Sequence, residues 1–183
     1  MRPETNKKTM AIYLLLTAAG FLGGILMMQF MGDICMETGG IFSYEWISRF
    51  LYMEIDCTGF FYYCFERRLL LTLVLFLAGI SFLAEAFGGV SCFLLGLMNG
   101  MGLSIASAQL GIQGPLIYAA TCFPQAFFYI PGFILYLIFI LRFRQHKKTI
   151  TVFLIILVLF TIGCFLESYV NPVVLHKILK KFY

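Results

Sequence analysis

Residues 122–132 read CFPQAFFYIPG, inside the longer apolar run GPLIYAATCFPQAFFYIPGFILYLIFIL at 114–141. Pro124 and Pro131 are seven residues apart, so both fall on nearly the same side of a helix. Each proline lacks an N–H and crowds the carbonyl four residues earlier, which frees backbone oxygens at Ala120 and Phe127. In hydrocarbon a freed oxygen must find its partner within protein, and Gln125 and Tyr129 are the nearest candidates in sequence. The stretch therefore reads as a bent helix covered by other helices. A bent helix of this kind also resembles the broken helices that surround transporter substrate sites.

Composition establishes that the medium is lipid. Of 183 residues, 61% are hydrophobic and 12% charged, about half the charged share of a soluble domain, and mean hydropathy is +0.93. Too few polar side chains remain to cover a water-facing surface. The chain reads as an all-α, polytopic integral membrane protein, one membrane domain over 1–183 with no linker and no separate catalytic domain. The formal net charge is +4, but the cations sit in short clusters beside apolar runs, among them Arg142, Arg144, Lys147 and Lys148. That placement suits headgroups, so membrane lipid is the expected partner and nucleic acid is not. Six cysteines occur without a C-x-x-C. They read as unpaired thiols, with no metal or cofactor expected.

Hydropathy predicts five crossings, at 10–31, 69–88, 88–109, 114–141 and 150–170, each near the length a bilayer requires. The positive-inside rule makes residues 1–9 and the basic loop 142–149 cytoplasmic. It follows that 32–66 is an extracytoplasmic loop and that the basic tail 171–183 lies outside. Within the loop, Trp46, Ile47, Phe50 and Leu51 recur at three- and four-residue spacing with Glu45 and Arg49 between them. This is an amphipathic interfacial helix, and Ser43 is placed to cap its start.

The third crossing carries a packing code. Gly88, Cys92, Gly96, Gly100, Ser104 and Ala108 are all small and spaced by four, drawing a groove down one helix face. Helices in lipid attract through close backbone approach, which small residues permit. The face is expected to meet another helix of the chain, a second copy in a homo-oligomer, or a partner protein. Glu85 and Glu167 fall near predicted span ends, where a carboxylate reaches water or headgroups. No nucleophile–base pair, metal-ligand set or phosphate-binding glycine loop can be named, so no catalytic residue is assigned.

The segment LGIQGPLIYAATCFPQAFFYIPGFILYLIF at 110–139, with FLESYVNP at 165–172, resembles the stage II sporulation protein M family of endospore-forming bacteria. The matching positions are Leu110, Gly111, Gly114, Pro124, Gln125, Pro131, Glu167 and Pro172. Ala126 departs from the pattern, standing where an asparagine commonly follows the glutamine. The resemblance implies a five-span fold and a non-enzymatic role. In that role a membrane scaffold at the sporulation septum recruits peptidoglycan hydrolases, the stage II sporulation proteins D and P, during engulfment. The alternative drawn from the proline-broken helix is a transporter or permease subunit.

Overall fold

The computed structural model describes residues 3–37, 42–53, 56–143 and 149–182. Among these the regular structure is helical throughout: α1 (Pro3–Glu37), α2 (Tyr44–Tyr52), α3 (Cys57–Ile80), α4 (Ala84–Leu110), α5 (Gly114–Cys122), α6 (Ala126–Ile138), α7 (Thr149–Phe165) and α8 (Asn171–Phe182). Wider π turns extend α6 over Phe139–Phe143 and join α7 to α8 over Leu166–Val170. Three stretches are long and apolar enough to cross a membrane, Lys7–Phe30, Ala84–Cys122 and Thr149–Lys181, and a shorter apolar helix covers Ala126–Leu141. Most of the basic loop expected at 142–149 lies outside the described residues.

The chain packs as two compact units. The first comprises Met1–Met53, Gly89–Ala119 and His176–Tyr183, and the second Glu54–Gly88 and Ala120–Leu175.

In the first unit, glycines bring α1 and α4 into backbone contact. A Cβ built at Gly96 would overlap the Thr17 carbonyl oxygen, and one at Gly100 would overlap that of Phe21. The fit is reciprocal, because Gly20 and Gly24 of α1 abut the Phe93 and Leu97 carbonyls of α4 in the same way. Residue numbers rise together along both helices, so α1 and α4 run parallel. Close approach of this kind maximises dispersion contact, the main attraction available between helices in lipid. The chain then reverses at Gly111, whose φ of +59° suits a residue without a Cβ. Gly114 packs directly on the Ala106 backbone, and the Tyr118 hydroxyl donates to Asn99 Oδ1 at 3.0 Å. These contacts lay α5 antiparallel along α4. As expected, Ser43 caps α2, its Oγ accepting from Trp46 N at 3.2 Å. Ile47 of α2 is fully buried, and Trp46 stacks on Phe50 with centroids 5.3 Å apart.

The second unit is built on α3, α6 and α7. Thr58 lies by Tyr169, Arg68 by Glu167 and Phe76 by Phe153, so α3 and α7 are antiparallel. Tyr129 lies by Cys164, and Gly132 sits against the Phe160 ring, so α6 also opposes α7.

Two helix boundaries differ from the hydropathy reading. The second long helix runs from Cys57 to Ile80 and not over 69–88. Asp56 caps it, accepting from the N–H groups of Thr58 and Gly59 at 3.1 Å. Its far end stops where the Ser81 side chain and N–H turn back to the Ala78 carbonyl. Glu66, Arg67 and Arg68 therefore lie within a helix that composition had placed at a loop edge. Glu85 falls in the first turn of α4, where a carboxylate complements the helix dipole. The run 114–141 is likewise not one bent helix. It breaks over residues 123–125 into α5 and α6, with a cis Phe123–Pro124 peptide, whereas Pro131 is accommodated inside α6.

Replacing Gly96 by leucine should force α1 and α4 apart and destabilise the detergent-solubilised chain by about 1–3 kcal/mol, as overpacking does. Gly23→Ala is the control, since a Cβ there meets nothing within 4 Å, and it should leave thermal unfolding unchanged.

Candidate functional site

The second unit gathers polar side chains from three helices at one level. Thr149 begins α7, and Glu167 follows it by 18 positions, about 27 Å along a helix axis. That is close to the thickness of a bilayer's hydrocarbon, about 30 Å. Glu167 thus stands at the end of a membrane-length segment, opposite Thr149.

Glu167 turns inward at that level. Its Oε1 receives Arg68 Nη2 of α3 at 3.5 Å, and its Oε2 accepts from the Tyr129 hydroxyl of α6. The Arg68 guanidinium lies 4.9 Å from the centre of the Tyr129 ring, within cation–π range. Cys164 Sγ lies 3.5 Å from the Tyr129 hydroxyl. The Glu167 side chain is 19% exposed and that of Arg68 42%, so the pair is screened on one side only. A carboxylate in such surroundings is tolerated because a cation and a hydroxyl both face it. Arg68 can in turn lie within α3 because Glu167 answers its charge. One cluster thereby ties α3, α6 and α7 together.

A second polar contact closes the helix break. Gln125 is 7% exposed, and its Nε2 donates to the Thr121 carbonyl. Asn171, at the start of α8, donates from Nδ2 to the same oxygen at 2.8 Å. Gln125 was the expected amide partner, but the oxygen it serves belongs to Thr121 and not to Ala120. Tyr129, the other candidate, serves Glu167 instead.

The motif positions separate between the units. Leu110, Gly111 and Gly114 form the α4–α5 reversal in the first. Gln125, Glu167 and Pro172 occupy the second, with Pro124 at the break and Pro131 exposed on α6. Along the small-residue stripe, Gly88, Cys92, Gly96 and Gly100 are buried, Ser104 is half-buried and Ala108 exposed. Gly96 and Gly100 meet α1 of the same chain, so this part of the stripe is an internal seam. Trp46, Ile47, Phe50 and Leu51 lie together on α2. Cys57, Cys64, Cys92, Cys122 and Cys164 are free thiols.

Sequence reading missed Arg68, Cys164 and Asn171 as members of these contacts, and Gly20 and Gly24 as partners of the stripe. The four-residue spacing of Gly20 and Gly24 was an available signal. No local pattern paired Arg68 with Glu167.

The space between α3, α6 and α7 is small. A cavity of about 10 Å³ lined by Thr72, Tyr136, Phe153 and Phe160 has room for one water at most. Among the described residues no cluster of three or more His, Cys, Asp or Glu is placed to hold a metal. No protein-family model, curated protein or solved structure matches this chain.

Glu167→Gln leaves Arg68 without its counter-charge and should lower stability by about 1–2 kcal/mol, a figure reduced for the exposure of Arg68. Adding Arg68→Met should recover part of that loss. A double-mutant cycle on thermal unfolding measures the coupling, and strict additivity would show that the pair is not a tie.

Proposed function

We propose that this chain is a non-catalytic membrane scaffold that recruits peptidoglycan hydrolases to the septal membrane during engulfment in an endospore-forming bacterium. The observation that carries the reading is the use made of the polar motif residues. Glu167 bonds to two neighbouring helices and Gln125 to the Thr121 carbonyl across the helix break, and the cavity between α3, α6 and α7 is water-sized. Groups used in this way fix a shape, and shape is what a docking protein offers. The resemblance to the stage II sporulation protein M family supplies the biological setting.

In this reading the chain crosses the membrane five times, through α1, α3, α4, α5 with α6, and α7. Helix senses within each unit support the alternation: α1 runs parallel to α4, α5 opposes α4, and α3 and α6 both oppose α7. With the N-terminus cytoplasmic, α2 and the Glu167 end of α7 face outward, the side on which wall hydrolases act. The end of α2 offers an apolar contact there, with Tyr52 89% and Met53 69% exposed. Since Gly96 and Gly100 are occupied by α1, the partner surface lies elsewhere than along that seam.

A transporter or permease subunit remains the second reading, favoured by the break between α5 and α6 beside buried amides. Flux of a solute in vesicles containing the purified chain would promote it.

Affinity capture of the tagged chain from sporulating cells under mild detergent should recover peptidoglycan hydrolases. Substituting Tyr52 and Met53 with serine should reduce recovery several-fold without shifting thermal unfolding. Full recovery with the double variant would move the contact off α2, and capture without any hydrolase would reject the scaffold reading.

A further inference from the structure

The break between α5 and α6 leaves buried side-chain oxygens without a donor. Pro124 has no N–H to give to the Ala120 carbonyl, and Pro172 has none to give to the preceding turn. The amide nitrogens of Gln125 and Asn171 converge on one oxygen, that of Thr121. That arrangement leaves Gln125 Oε1 and Asn171 Oδ1 buried with no hydrogen-bond partner. Gln125 is more than nine-tenths buried. A buried acceptor left unmatched is destabilising, and here two amides that share one carbonyl each leave their oxygen unmatched. Rotating either amide would bring its oxygen against the Thr121 oxygen, so the bonds to that carbonyl fix how both amides are turned.

We propose that this break binds a monovalent cation, with Gln125 Oε1 and Asn171 Oδ1 as side-chain ligands and the freed Ala120 carbonyl as the backbone one. Neutral oxygens at interrupted helices hold Na⁺ in this manner. A divalent ion is disfavoured, because such ions draw on carboxylates, and the nearby carboxylate of Glu167 already faces Arg68 and Tyr129. The cation would pin α8 to the α5–α6 junction at the point where both helices lose a backbone donor. The inference goes beyond the scaffold reading and is independent of it, since a docking protein and a transporter can both carry such an ion.

Thermal unfolding of the full chain in detergent is the test. NaCl and KCl are titrated at constant ionic strength against N-methyl-D-glucamine chloride, with MgCl₂ as a further arm. The midpoint should rise saturably by several degrees with one of the two alkali ions and not with N-methyl-D-glucamine. Gln125→Glu, which preserves shape and adds a negative charge, should lower the half-saturating concentration about tenfold, and Gln125→Leu should abolish the response. A flat wild-type response to every cation means that water satisfies the oxygens and overturns the proposal. A response more sensitive to Mg²⁺ than to Na⁺ or K⁺, or one unaltered in Gln125→Glu, overturns it as well. The wild-type titration and the glutamate variant decide the matter even where the leucine variant fails to fold.

Discussion

Removing a carboxylate from water without a counter-charge is among the least favourable events in an apolar medium, and the second unit is arranged around its avoidance. Glu167 sits at the end of a membrane-length helix, and Arg68 and Tyr129 reach it from two other helices. Because the three groups come from α3, α6 and α7, satisfying one charge fixes the register of three helices. Phe76, Phe139 and Phe153 then meet at the opposite end, and glycines at 79, 132 and 163 admit aromatic rings between the helices. The same demand operates at the helix break, where the Thr121 carbonyl draws in two side-chain amides.

The first unit meets the lipid constraint by another route. Between α1 and α4 the contact is made by glycines. Four glycines, two on each helix, let backbone carbonyls approach the opposing helix. Hydrocarbon offers no hydrophobic gain for pairing, so attraction depends on how closely backbones come together. The first unit thus shows close backbone approach and the second a cluster of paired polar groups, and both expose many large apolar side chains. A surface of that kind is suited to lipid and to other membrane proteins.

How much of this was legible in the sequence depended on how far apart the interacting residues lie. Local signals read well. The Ser43 cap, the apolar face of α2, the small-residue stripe and the proline break all show within a few residues of sequence. Boundaries read poorly where a charge sits inside a helix: Glu66–Arg67–Arg68 looks like the edge of a loop until Glu167, 99 positions from Arg68, is known to face it. The same holds for Asn171, whose partner oxygen is 50 positions earlier. The stripe on α4 announced a helix contact but not which helix would fill it. The reversal at Gly111–Gly114 was noted as part of a motif, although its left-handed φ and its contact with Ala106 appear only in three dimensions.

The account depends on five alternating crossings, with the Glu167 tie at the outward end of the last. Reporters that fold on one side of the membrane only, fused in turn before Met1 and after Tyr183, test this most directly. Opposite sides for the two termini, with Met1 cytoplasmic, is the predicted result. Both termini on the same side would mean an even number of crossings and would contradict it.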